Sequence, residues 1–132
     1  MTRHELLEER LTRTIIGAFF EVYNYFGLGL FESLYVNALA TELRSRGVFV
    51  RREQWTSVTY KGEQIGLQRL DMVVADRIVV EAKATDRLAP IATRQLLTYR
   101  RASNLQLGLL LHFGPDPRFF RVVNSHEGSA RR

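Results

Sequence analysis

A glutamate and a lysine set two residues apart inside an otherwise apolar strand constrain this chain more than anything else in it. The run Ile78-Val79-Val80-Glu81-Ala82-Lys83-Ala84 has the length and β-branched content of a buried strand. Side chains alternate along a strand, so Glu81 and Lys83 share one face while Ile78, Val80 and Ala82 take the other. Leaving either charge alone on a sheet face costs on the order of several kcal/mol, so each needs the other, a metal ion or water. The chain has two lysines against seventeen arginines, which makes a lysine at this position a pointed choice.

Asp71 can supply a second carboxylate, and strand register decides whether it does. If Asp76-Arg77 were a two-residue hairpin loop, Ala75 would pair with Ile78 and Asp71 would stand opposite Ala82, on the wrong face. A three-residue loop of Ala75, Asp76 and Arg77, or an equivalent bulge, puts Asp71 opposite Glu81 instead. The two carboxylates are then expected within about 5 Å, close enough to share one ion. Hard oxygen ligands suit Mg²⁺ or Mn²⁺, which keep several waters and are held by one or two carboxylates plus substrate phosphate. A lysine beside such an ion can orient an attacking water and offset charge in the transition state at phosphorus. The spacing therefore predicts a magnesium-dependent phosphodiesterase.

At 132 residues the chain suits a single domain that buries about 68% of its unfolded surface. Its core is expected over about residues 11–123, with frayed termini. A formal charge of +5 favours an anionic partner, nucleic acid first and DNA ahead of RNA, although global charge biases association without defining a site. The absence of cysteine excludes disulfides, thiolate metal sites and a cysteine nucleophile. The start Met1-Thr2-Arg3-His4-Glu5 is charged and leads into no apolar signal core. No apolar stretch approaches the roughly 20 residues of a membrane span. A soluble, cytoplasmic protein away from membranes is expected.

Leu11, Ile15, Phe19, Val22 and Phe26 recur at helical spacing and Gly27 stops them. Phe31, Leu34, Tyr35, Ala38, Leu39 and Leu43 mark a second helix ending near Gly47. Val48 to Arg52 and Thr56 to Tyr60 read as two strands, and Lys61-Gly62-Glu63 turns into a strand from Gln64 to Val74. After Ile78–Ala84, Pro90 opens a third helix through about Ser103. Leu107 to Phe113 is an apolar strand, and Gly114-Pro115-Asp116-Pro117 turns into Arg118 to Val123. This order predicts an α/β sandwich with a mixed sheet.

Four motifs now stand in order: Gly29-Leu30-Phe31-Glu32-Ser33-Leu34-Tyr35, Arg69-x-Asp71, Glu81-x-Lys83 and Gln95-Leu96-Leu97-Thr98-Tyr99. Together they resemble the GxxExxY proteins of the PD-(D/E)XK nuclease superfamily, over most of the chain from about Leu11 to Val123. The resemblance implies an αβββαβ core with a mixed sheet flanked by helices and, here, an extra N-terminal helix. It also implies Mg²⁺-dependent hydrolysis of phosphodiester bonds in DNA or RNA. Asp71 and Glu81 would then be metal ligands and Lys83 the water-positioning or charge-stabilising residue, while Glu32 would be the helical acid that completes the ion's shell.

Residue spacing supports part of this. Glu32 and Tyr35, three apart, sit side by side on one helix face, so a shared pocket with Tyr35 on the substrate is expected; the plainer role for Glu32 is to favour the helix dipole. Gln95 and Tyr99, four apart, stack on one face of the third helix. Gln95 can hold the lysine, the attacking water or a phosphate, and Tyr99 can touch substrate or simply pack. Arg69 shares a strand face with Asp71 and can meet a phosphate or pair a carboxylate.

Other residues carry less. Glu21 reads as solvated surface, and His4, His112 and His126 lack zinc spacing, with His112 a satisfied core histidine. Arg44, Arg46, Arg51, Arg52, Arg100 and Arg101 can form a phosphate-gripping rim or a plain solvated surface. The aromatic-rich first helix, with Phe19, Phe20, Tyr23, Tyr25 and Phe26, predicts a homodimer. Two functions compete: a metal-dependent nuclease, and a non-catalytic nucleic-acid- or protein-binding module that keeps the nuclease fold. The complete set of two acids and a lysine favours the nuclease.

Overall fold

The computed structural model describes residues 2–123; the C-terminal tail expected to fray, with His126, lies outside them. A 24-residue helix α1 (Arg3–Phe26) opens on a capping box, in which Thr2 Oγ1 accepts from Glu5 N–H while Glu5 Oε1 accepts from Thr2 N–H. Gly27 ends it with φ 67°, a left-handed value that glycine adopts without strain. After the break α2 (Glu32–Ser45) runs back along α1.

β1 (Val50–Tyr60) is one continuous strand, where the sequence suggested two. Glu53, inside it, holds a left-handed φ of 52°. The polar break at Glu53-Gln54 is therefore a local kink, and pairing with β2 (Glu63–Val74) resumes beyond it. Lys61 and Gly62, both with positive φ, make the two-residue turn between them, as a right-twisted hairpin needs.

β2 joins β3 (Ile78–Lys83) through a three-residue loop, because Val74 pairs with Ile78. The crossover helix α3 (Ile91–Ser103) returns the chain to β4 (Leu107–His112), parallel to β3, and β5 (Arg118–Val123) closes the antiparallel far edge. The sheet order is β1-β2-β3-β4-β5. The αβββαβ core runs from α2 to β4, with α1 added before it and β5 after.

Both sheet faces are covered, which is why β3 and β4 read as nearly unbroken apolar runs. α1 and α2 pack Ile15, Phe19, Tyr35, Leu39 and Leu43 onto Met72, Val74, Ile78, Val80 and Ala82. α3 sets Ala92 and Leu96 on the other face against Val73, Val79 and Leu110. Gly108 lies under Leu96, where an added Cβ would meet the leucine side chain at 3.1 Å. Among the described residues no helix is long and apolar enough to cross a membrane.

The aromatic helix is largely absorbed by this core. Phe19 is fully buried, Phe20 packs edge-on against Phe119, and Tyr23 Oη donates to the Gly114 carbonyl at 2.8 Å. Only Tyr25 and Phe26 of the five stay exposed, so α1 has far less spare apolar surface than its composition suggested.

Candidate active site

Asp71 sits where β2 loses regular pairing on both sides. Toward β1 the ladder runs Arg52–Met72 and resumes at Gln54–Leu70, leaving Glu53 and Asp71 out. Toward β3 it ends at Met72–Val80. The three-residue loop continues this register to place Asp71 opposite Glu81, as the metal reading required.

At that opening the two acids replace the missing ladder bonds. Asp71 N–H donates to Glu81 Oε2 at 2.9 Å, and Ala82 N–H donates to Asp71 Oδ2 at 2.9 Å. Two carboxylates are thereby locked together on one side of a sheet, with Glu81 only 6% exposed. Burial first, and the charge of Asp71 second, push the Glu81 carboxyl up to about 8; the Asp71 amide and Lys83 pull the other way. At neutral pH the pair holds a proton in place of a second negative charge.

Lys83, at the end of β3, is half-buried and forms no close ion pair among the described residues, so its ammonium acts on Glu81 through space. Its carbonyl accepts from Phe113 N–H at 2.8 Å, which ties this end of β3 to β4. Tyr99 rises toward the acids from α3. Burial, then the charges of Glu81 and Asp71, raise its phenol above the ordinary tyrosine value. Gln95, one turn earlier and half-buried, has no hydrogen-bond partner among the described residues.

Glu32 stands apart from this pair. Its Oε1 accepts from Ala84 N–H at 3.3 Å, just past Lys83. Among the described residues no three acidic, histidine or cysteine side chains gather as a metal cluster.

Tyr35 corrects the expectation of a substrate contact. It is fully buried, stacks on Phe113 with ring centroids 4.1 Å apart, donates its hydroxyl to the Gly27 carbonyl and accepts from Leu30 N–H. Its work is to close the loop that aims Glu32. Arg69 took the plainer option: it pairs with Glu53 at 3.3 Å on the surface.

The arginine rim does not assemble either. Arg46 pairs with Glu42 and Arg51 with Asp76, both at 2.8 Å. Arg44 donates to the Val50 carbonyl. Arg100 is 3% exposed and donates to the Leu105 carbonyl within its own helix end.

Arg52 is a residue that sequence reasoning placed only in that rim. Its Nε donates to the Asp71 carbonyl at 3.2 Å and its Nη1 to Asn37 Oδ1, which braces the Asp71 kink against α2. Nothing short of knowing the Arg52–Met72 pairing reveals that role. His112 is buried with Nε2 on the Thr85 carbonyl at 2.8 Å, the satisfied core histidine expected, and it pins the loop after Lys83.

Similarity to known proteins agrees with this fold. A profile of the PD-(D/E)XK nuclease superfamily matches residues 9–122. An alkaline exonuclease from Laribacter hongkongensis superposes with TM-score 0.50 at 14% identity, covering 70% of this chain and 55% of its own. The crystal structure of SSO0001 superposes with TM-score 0.54 at 17% identity, covering 75% and 53% respectively. The chain thus spans about half the length of either protein, and at such identities the likeness is one of fold. No curated protein matches the chain in sequence. With a superfamily profile spanning nearly all of its described residues, the chain belongs to the PD-(D/E)XK nuclease superfamily.

Proposed function

We propose that the chain is a metal-dependent nuclease that hydrolyses phosphodiester bonds, in DNA ahead of RNA, and that within the superfamily it is a GxxExxY protein. The single observation that carries the reading is the interlocked Asp71–Glu81 pair in the broken ladder, with Lys83 two residues on. Two oxygen acids, one of them raised to about 8 by burial first and by its neighbour's charge second, are a donor set that a hard divalent cation suits. Mg²⁺ or Mn²⁺ is the fitting ion, since one or two protein carboxylates suffice for it. When bound, it supplies charge that stabilises the phosphoryl oxygens in the transition state.

The protein's own groups divide the remaining work. Lys83 orients the attacking water and offsets developing charge. Asp71 and Glu81 hold the cation, and Glu32 completes its surroundings from α2 through water. Gln95 and Tyr99 line the α3 side, where Gln95's free amide is placed for a water or a phosphate oxygen. Arg69 can exchange an exposed pair with Glu53, worth at most about 1 kcal/mol, for a substrate phosphate. Phosphate contacts of this kind make affinity fall steeply with salt. Dimerisation has Leu6, Leu7, Tyr25 and Phe26 of α1 to build on, and light scattering distinguishes a 15.3 kDa monomer from its double.

A cleavage assay on several nucleic acids with Mg²⁺ or Mn²⁺ tests the mechanism. Lys83→Ala should cut on the order of a hundredfold more slowly with little change in binding, whereas Asp71→Asn should lose metal affinity and cleavage together. A folded Lys83→Ala protein that cuts as fast as the parent would make Lys83 a structural counter-ion. The competing binding module predicts no cleavage by the parent at all.

A further inference from the structure

We infer that Arg52 is a positioning residue: it ties Asp71 to α2, so that one helix sets the place of Asp71 and of the strand end that carries Lys83. What the tie does for metal affinity rests on the nuclease reading of the site. Asp71 lies where the β1–β2 ladder skips, between the pairs Arg52–Met72 and Gln54–Leu70. Toward β3, regular pairing stops at Met72–Val80. A residue at such a bulge is aimed by whatever holds its backbone in place of the ladder. Here a guanidinium holds it. Arg52 Nε donates to the Asp71 carbonyl at 3.2 Å, and Nη1 of the same rigid fork donates to Asn37 Oδ1 on α2.

α2 reaches the site a second time. Glu32, five residues before Asn37, accepts from Ala84 N–H at 3.3 Å, next to Lys83. Five residues of helix rise about 7.5 Å, and from Glu81 to Ala84 the strand advances about 10 Å. One helix therefore grips both ends of the site, where the sheet's own bonds lapse. Groups that orient a metal ligand without touching the ion are worth roughly 10–100-fold in metal affinity.

Two other roles compete. One is plain stability, with Arg52 joining β1 to α2. The other is a phosphate contact in a basic rim, against which stand the half-buried position of Arg52 and the prior commitment of its Nε and Nη1 to protein oxygens.

Arg52→Ala, Arg52→Lys and Asn37→Ala are compared with the parent, metal-free and with Mn²⁺. Asn37 is exposed and alanine is the better helix former, so α2 itself is not weakened. In the metal-free chain two amides report the tie: Asp71 N–H, bonded to Glu81, and Ala82 N–H, bonded to Asp71. Their hydrogen exchange by NMR should quicken roughly tenfold in Arg52→Ala relative to Val79 and Val80 on the central strand, and by less in Asn37→Ala. Mn²⁺ binding by calorimetry should weaken about tenfold in Arg52→Ala. Arg52→Lys should follow alanine, because one ammonium does not reproduce the fork.

Folded Arg52→Ala and Asn37→Ala proteins that keep the parent's exchange at both amides and its Mn²⁺ affinity, whatever their urea midpoints, overturn the assignment. So does a lysine variant that matches the parent, since charge alone then suffices. An Arg52→Ala protein whose only loss is nucleic-acid affinity in EDTA, with the salt slope reduced by about one, makes Arg52 a phosphate contact instead. The two readings fail separately. A parent that binds no Mn²⁺ or cuts nothing removes the nuclease reading while the two amides still decide the tie; a parent that cuts, beside variants with unchanged amides, removes the tie alone.

Discussion

The hairpin of β1 and β2 is two different structures joined at Glu53 and Asp71. Its inner half, Val50–Arg52 with Leu70–Val74, lies between α1 and α2 on one face and α3 on the other, with Leu70, Met72 and Val74 fully or almost fully buried. The outer half, from Trp55 around to Arg69, is also paired along its length, with one register shift between Val58 and Thr59, but exposes Trp55, Tyr60, Ile65 and Leu67. Hydrogen bonding is therefore common to both, and burial is what separates them. Stability resides in the inner half, the two acids sit at the junction, and the outer half is surface free to meet a substrate.

Two truncations of one strand break or confirm that division. Met72→Ala empties a site with no solvent access and should cost about 2–5 kcal/mol, lowering the urea midpoint at constant slope. Leu67→Ala, on the outer half, should stay within about 0.5 kcal/mol. Equal losses at the two positions would mean that the outer half is packed in solution.

Burial also decided what the sequence disclosed. The helices, the inner strands and the three-residue loop were legible because each places apolar side chains, or the Asp71–Glu81 pair, on one required face. β1 was read as two strands because its kink at Glu53 comes from a left-handed backbone that no side-chain pattern announces. The burial of Arg100 was equally hidden, since an arginine at the i+4 and i+8 stations from Leu96 and Ala92 is written like a surface residue. Tyr35 was misjudged for a different reason. Spacing put it beside Glu32 correctly, but a three-residue offset does not say which of two neighbours faces the core, and Tyr35 turned inward onto Phe113.

The junction itself responds to pH in a direction opposite to ordinary carboxylates. The folded protein holds Glu81 protonated up to about pH 8, against 4.5 for the free group. Its contribution to stability is therefore fully present below about pH 4.5 and disappears as pH rises through 8. Compared with Glu81→Gln, the metal-free parent should lose on the order of a few kcal/mol of unfolding free energy between those limits. Mg²⁺ should restore it at high pH, because the ion favours the ionised pair and its binding releases the proton. Urea titrations of both proteins across this range, with and without Mg²⁺, measure the effect. A constant difference between parent and Glu81→Gln would show that Glu81 is ionised throughout and that the crowding of the two acids is relieved by some other means.

The smallest effect belongs to the kink that divides the hairpin. Glu53 combines a left-handed backbone, which costs an ordinary L-residue roughly 1–2 kcal/mol, with a surface ion pair to Arg69 worth at most about 1 kcal/mol. Glu53→Ala removes the pair and keeps the strain, so it should be slightly less stable than the parent. Glu53→Gly removes both, and should be more stable than Glu53→Ala by about 1 kcal/mol even after the added freedom of glycine in the unfolded chain. Because the two variants lack the same ion pair, their difference in urea midpoint isolates the backbone. If alanine proves as stable as glycine, position 53 relaxes to an ordinary strand conformation. β1 would then be a flat edge in solution, with Trp55 and Arg69 no longer turned relative to Asp71 as they are here.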